Sequence, residues 1–339
     1  MTEELPGLDP ERLRAYLDRA APGLVSGPLE GRVIAGGKSN LTYVVTDGRG
    51  SWVVRRPPLG HVLATAHDMP REYRVMTALR DTPVPVPRTH TLCEDTDVLG
   101  APFYVMEYVA GTPFRTRDEI AVLGAERIRS VAESLVGTLG ALHAVVPEEV
   151  GLGDFGRPAG FLQRQVRRWG KQLDASRSRD IPGIDELRDR LAGTIPEQSS
   201  PAIVHGDYRL DNVLVTPDGR LTAVLDWEMA TLGDPLVDLG LMLVYREQAT
   251  DVGGGAAPAT SAEGFPTSAE LVELYTAATG RDVSRLAWYV AFGCFKLAVI
   301  AEGIHLRHSR GLTVGAGFER IGEMVAPLVE RAHATLKED

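Results

Sequence analysis

Residues 203–215 read IVHGDYRLDNVLV, two short apolar runs enclosing His205, Asp207, Arg209, Asp211 and Asn212 together with a glycine and a tyrosine. Runs of this kind read as short buried strands, and burying unpaired charge is costly, so a loop this polar belongs in a cleft that its strands anchor. Four residues separate Asp207 from Asn212. A second apolar run, LTAVLDWE, brings Asp226 fourteen residues beyond Asn212, at the end of its strand.

The spacing suits one chemistry. Phosphoryl transfer from ATP asks little covalent work of a protein, but it needs a carboxylate to accept the proton of the attacking hydroxyl and oxygen ligands to hold the Mg²⁺ ions on the phosphates. An H-x-D-x-x-x-x-N loop followed by an aspartate on the next hairpin supplies both. The plainer reading is a turn in which Asp and Asn bond their own backbone. His205, Asp226 and the elements upstream agree better with the first.

Upstream, the chain reads as sheet. Residues 41–46 and 51–56 are β-branched and aromatic runs joined by Asp47-Gly48-Arg49-Gly50, a hairpin signal. The preceding AGGKSN, residues 35–40, is not a P-loop, because Arg32 stands where that pattern requires glycine. It reads as a flexible turn. In MPREYRVMTAL, residues 69–79, Pro70 suits a first helical turn and Glu72, Met76 and Leu79 share one face. Strand candidates follow at 88–93 and 103–108, and from Glu119 onward helical periodicity dominates. Residues 250–266, rich in Gly, Ala and Pro, read as disordered or inserted.

Composition narrows the classes. A chain of 339 residues suggests two lobes sharing a cleft. Acidic residues outnumber basic ones 46 to 36, for a net charge of −10, which argues against a nucleic-acid partner. Cys93 and Cys294 are the two cysteines and support neither a disulfide framework nor a thiolate metal site. No stretch reaches about 18 uncharged apolar residues, so no membrane partner is expected and the expected location is the cytoplasm.

With these residues in view, the chain resembles the aminoglycoside phosphotransferase and choline kinase group, distant relatives of protein kinases, over roughly residues 30–310. HGDYRLDN stands where that group carries its catalytic loop, and DWE where protein kinases carry D-F-G. The resemblance implies an α+β, bilobal protein-kinase-like fold: an N-terminal antiparallel sheet lobe with one helix, residues 1–108 with a leading helix, and a larger, mainly helical lobe, residues 109–339. It implies ATP and Mg²⁺ as cofactors, Asp207 as catalytic base, and Asn212 and Asp226 as Mg²⁺ ligands. Glu228, His205 and Asp238 are auxiliary candidates: Glu228 for a metal-bound water, His205 and Asp238 for holding the loop. Lys38, Ser39 and Asn40, together with Glu107 and Val109 of the hinge-like VMEYVAG, are nucleotide-binding candidates.

Where the family template has a strand lysine paired with a helix glutamate, this chain has Arg55-Arg56. Alternation places Arg55 with Val53 on the inward face and makes Glu72 its partner; Arg56 and a surface role remain the alternatives. Only Lys38, Lys171, Lys296 and Lys337 are lysines, so arginine here is partly a bias of the whole chain.

Within the group the pattern looks most like the kinase-like domains joined to acyl-CoA dehydrogenases. That resemblance implies a small-molecule acceptor such as a hydroxyacyl-CoA or hydroxy acid. Arg164, Arg167 and Trp169, on a helical stretch, are acceptor-site candidates, with a solvated face and a core tryptophan as the plainer reading. An aminoglycoside or amino-alcohol acceptor, and a nucleotide-binding regulatory module with little activity, are the alternatives. Oligomeric state is not legible.

Overall fold

The structure is a computed structural model that describes residues 5–34, 40–59, 68–248, 256–312 and 318–337. By backbone contacts it divides into two compact units: Met1–Ala110 with Thr222–Ala230, and Gly111–Leu221 with Thr231–Asp339.

The first unit is built on a five-stranded antiparallel sheet. Helix α1 (Pro10–Ala20) leads into β1 (Glu30–Val33), β2 (Leu41–Thr46) and β3 (Ser51–Arg56); α2 (Met69–Leu79), β4 (Thr89–Cys93), the one-turn α3 (Thr96–Leu99) and β5 (Phe103–Glu107) follow. The strand order is β1-β2-β3-β5-β4. Asp47 closes the β2–β3 hairpin by accepting from the N–H groups of Arg49 and Gly50, and Gly48 takes the positive φ (82°) that the turn requires. Those bonds and one from Ser26 N–H hold its carboxyl below the usual carboxylate range.

Period-two alternation sorts the sheet into two faces. Tyr43, Val45, Trp52, Val54, Phe103 and Val105 point to one side and pack with Leu13 and Leu17 of α1. Val53, Arg55, Tyr104 and Met106 point to the other. Helix α2, capped by Asp68 on Arg71 N–H, packs against β4 and β5 and buries Glu72 among Met69, Val75, Met76 and Leu79. The returning segment Thr222–Ala230 completes the unit and anchors to it through Val224 N–H on Pro85 O and the Arg71 guanidinium on Ala230 O.

The second unit is mainly helical: α4 (Arg117–Ala121), α5 (Ala125–Ala144), α6 (Phe161–Ser176) and α7 (Ile184–Gly193) precede three short strands, β6 (Ala202–Val204), β7 (Val213–Val215) and, after β8 (Leu221–Val224) leads into the returning segment, β9 (Thr231–Gly233). Helices α8 (Leu236–Arg246), α9 (Ser268–Thr279), α10 (Leu286–Ser309) and α11 (Val325–Thr335) complete it. Strand β6 pairs antiparallel with β9. Helix α10 packs against α6, α7, α8 and α11. It is the one described helix long and apolar enough to cross a membrane, and 83% of its most apolar window is buried inside the protein. Its all-round apolarity follows from being surrounded by other helices.

The segment read as disordered needs correction. Residues 250–255 lie outside the described residues, but the remainder is packed: Ala259 N–H donates to Arg115 O, Pro258 bridges Thr116, and Ala259, Ala262 and Phe265 are buried. Short side chains look like linker in composition, yet they let the backbone lie close against α4 and α8.

Candidate active site

Within the first unit, side chains of β3, β5, α2 and the returning segment form one network around a single guanidinium. Arg55 stands opposite Tyr104 in the β3–β5 register, its Nε lies 3.0 Å from Glu72 Oε2, and its Nη2 lies 2.5 Å from Asp226 Oδ1. Tyr104 donates its hydroxyl to Glu72 Oε2 (2.9 Å), and Asn40 Nδ2 donates to Glu72 Oε1 (3.3 Å) and Glu228 Oε2 (3.2 Å). Burial disfavours the Arg55 charge, but Tyr104, Glu72, Asp226 and Glu228 outweigh it and raise its pKa. Arg55 is therefore a fixed cation. Arg56 points to the other face, where it donates to Gly7 O and Leu99 O, as a structural residue bonding backbone carbonyls.

Asp226 has φ 66°, and it is the one non-glycine residue in the left-handed region among the described residues. Such backbone costs roughly 1–3 kcal/mol and persists where the surroundings impose it. It ends the strand abruptly, ahead of a 3₁₀ turn at Trp227–Met229, and leaves the carboxylate 29% exposed. Replacing Arg55 with lysine keeps the charge but not a fork that reaches Glu72 and Asp226 together. Nucleotide-dependent kcat/KM should fall about tenfold with little change in melting temperature, whereas Arg56→Lys should cost stability and leave the rate nearly unchanged. Steady-state kinetics and thermal melts of the two variants check this.

In the second unit, the loop between β6 and β7 is held from several helices. Asp238, buried in α8, accepts from His205 N–H (2.7 Å) and Gly206 N–H (2.8 Å). Lys296 of α10 donates to Gly206 O (2.5 Å) while its ammonium lies 5.5 Å from the centre of the Trp169 ring. Burial lowers the Lys296 pKa, and the Asp207 and Asp238 charges oppose that shift. Asp207 is half-buried. Its carboxylate accepts from Tyr245 OH at Oδ1 (2.8 Å) and from Asn212 Nδ2 at Oδ2 (3.1 Å), and Asn212 Nδ2 also reaches Asp207 O (2.9 Å). With its nitrogen engaged, the Asn212 amide leaves the lone pairs of its oxygen for a hydrogen-bond donor or a cation.

His205 is fully buried, and its Nδ1 accepts from Asp207 N–H (3.2 Å), so it shapes the loop from within. Asp238 also meets His143, whose Nε2 lies 3.3 Å from Oδ2 and whose Nδ1 lies 2.8 Å from Tyr275 OH. Burial lowers the His143 pKa despite Asp238. The unfolded chain then takes up that proton first as pH falls below about 6.5, and stability declines from there down to the depressed native value, by at most about 1.4 kcal/mol per pH unit. Urea unfolding of His143→Gln should show a shallower decline than the parent over that window.

Other expected site residues fall as follows. Glu107 ends β5, exposed, and accepts from Arg88 N–H; Val109 follows, half-buried. Lys38 and Ser39 lie outside the described residues. On α6, Trp169 is buried, whereas Arg164 and Arg167 are exposed, with Arg164 bonded to Ala159 O and Arg157 O. The helix thus does not turn the three toward one ligand. Tyr104, Tyr245 and Lys296 escaped the sequence reading; Tyr245 lies seven residues after Asp238, a helical spacing that could have paired them. Among the described residues no cluster of three or more His, Cys, Asp or Glu could hold a metal alone.

Residues 30–289 match the phosphotransferase enzyme family. The chain is 34% identical over 334 residues to acyl-CoA dehydrogenase family member 11 of Gallus gallus, covering 95% of this chain and 43% of that protein. It is likewise 34% identical to the Homo sapiens protein of that name, covering 97% and 44%. The chain thus spans less than half the length of these relatives. A crystal structure from Ralstonia eutropha, provisionally described as an aminoglycoside phosphotransferase, superposes with a TM-score of 0.83 at 35% identity, covering 97% of this chain and 98% of that one. Choline kinase from Cryptosporidium parvum shares the fold, with a TM-score of 0.67 at 15% identity over 97% and 96% of the two chains. With an α+β fold, an inward Arg55–Glu72 pair and a D-x-x-x-x-N loop held from α8, the chain belongs to the phosphotransferase enzyme family.

Proposed function

We propose that this phosphotransferase moves the terminal phosphoryl group of ATP to a hydroxyl of a small acid-bearing or acyl metabolite, with hydroxyacyl-CoAs and hydroxy acids as the acceptor class. The observation that carries the reading is the Asp207 carboxylate, held by Tyr245 and Asn212 in a loop whose backbone is clamped by Asp238. Each carboxylate oxygen keeps a lone pair for an incoming hydroxyl. Asp207 takes the hydroxyl proton as that oxygen bonds to the terminal phosphorus and the bond to the ADP oxygen breaks. Arg55 neutralises phosphate charge, and Glu107 to Val109 offers backbone groups to the adenine edge.

The Asp226 carboxylate and the amide oxygen of Asn212 are each hard oxygen groups of the kind that would hold Mg²⁺. When bound, the ion neutralises the charge of the transferring phosphates.

The acceptor class draws on two supports. A small, solvent-open pocket within the second unit has Arg115, Arg209, Arg246 and one carboxylate, Asp211, on mostly apolar walls that include Leu135 and Met242. Such a lining favours an anionic, partly apolar molecule over a polycation. The relatives named for acyl-CoA dehydrogenation point the same way. ADP release, measured with ATP and a panel of hydroxyacyl-CoAs, hydroxy acids and aminoglycosides, tests the proposal; turnover confined to aminoglycosides would overturn the acceptor class.

A further inference from the structure

Helix α8 meets the catalytic loop twice on one face. Asp238 binds the loop backbone at His205 and Gly206, and seven residues later, two helical turns on, the Tyr245 hydroxyl reaches Asp207 Oδ1. The helix is seated firmly: at Gly240 a Cβ would come within 2.7 Å of the Tyr289 backbone, so α8 lies directly on α10. The Tyr245 ring is fixed in turn by the Arg209 guanidinium, 4.3 Å above its centre.

We propose that Tyr245 is a positioning residue for phosphoryl transfer, whose hydroxyl locks the Asp207 carboxylate in the rotamer that presents its remaining lone pairs to the acceptor hydroxyl. This rests on Asp207 being the base. The direction of the bond is unambiguous, because Tyr245 is buried and burial, reinforced by Asp207, raises its pKa, so it remains a donor at working pH. Asn212 alone would hold one carboxylate oxygen and let the group swing about that contact. Two donors on different oxygens fix the plane. Tyr245 also lines the pocket that contains Arg209 and Asp211, so its other surface bounds the space beside the base.

Tyr245→Phe removes the hydroxyl and keeps the ring under Arg209. In the full chain, with MgATP and 3-hydroxybutyryl-CoA as acceptor, or water where that acceptor gives no turnover, kcat read as ADP release should fall about tenfold or more. The KM for ATP should stay within about twofold. Adding the change to Asp207→Asn should produce no further loss, since a residue acting through another has nothing left to act on. A Tyr245→Phe rate within twofold of the parent overturns the proposal. So does a loss that adds in full to that of Asp207→Asn, which would make the hydroxyl's role independent of Asp207. If Asp207→Asn itself runs at the parent rate, the base assignment fails first and the role of Tyr245 falls with it. Crystal structures of parent and Tyr245→Phe decide the same point without turnover: Asp207 should leave its rotamer in the variant, and an unmoved carboxylate counts against the proposal.

Discussion

Asp207→Asn is expected to lower turnover by about 10²–10⁴-fold while nucleotide affinity stays near the parent value. Asparagine has the size of aspartate and can accept the Tyr245 hydrogen bond through its amide oxygen, so the loop clamped by Asp238 and Lys296 keeps its shape. What it lacks is an oxygen basic enough to take the acceptor's proton. The nucleotide contacts proposed for the first unit, Arg55 and Asp226, are not touched by the change. Single-turnover rates and ATP calorimetry on the purified variant separate these effects. Near-parent turnover would falsify the role of Asp207.

Asp226→Ala is expected to abolish the Mg²⁺ dependence of nucleotide affinity. The carboxylate is the one anionic oxygen donor in the expected metal set, and without it the triphosphate meets the protein without a held cation. A second consequence follows from the structure. Arg55 loses the partner at 2.5 Å and keeps Glu72 as its close ion pair, so a buried guanidinium becomes less compensated, and the melting temperature should drop as well. Calorimetric titration of ATP with and without Mg²⁺ reads the first effect, and Asp226→Asn tests the second by keeping a hydrogen-bond acceptor for Arg55. Equal Mg²⁺-ATP affinity in Asp226→Ala and the parent would place the metal elsewhere.

Much of this was open to inspection in the residue order, because two local regularities carry it. Strand alternation alone separates Arg55 from Arg56, since adjacent residues on a pleated strand face opposite sides; the structure puts one on Glu72 and Asp226 and the other on Gly7 O and Leu99 O. Helical periodicity alone places Glu72 among inward apolar residues. The spacing of Asp207 and Asn212 lies within a single loop, where chain connectivity already brings the two side chains within reach.

Other features depend on which elements pack together, and no local pattern encodes that. Tyr104 and Arg55 are 49 residues apart and become neighbours only through the β3–β5 register. Trp169 on α6 shared a stretch with two arginines, but the core took its ring as the seat for Lys296 and left the arginines facing solvent. The left-handed backbone of Asp226 is a strain that only the surrounding fold can impose, so nothing in LTAVLDWE announces it. The residue order by itself determined the kinase-like loop, the paired Arg55 and Glu72 and the family, because each rests on periodicity or short spacing. Tertiary packing decided what holds the Asp207 carboxylate: it receives Tyr245 from α8 across 38 positions of chain, an arrangement set by the close seating of α8 on α10.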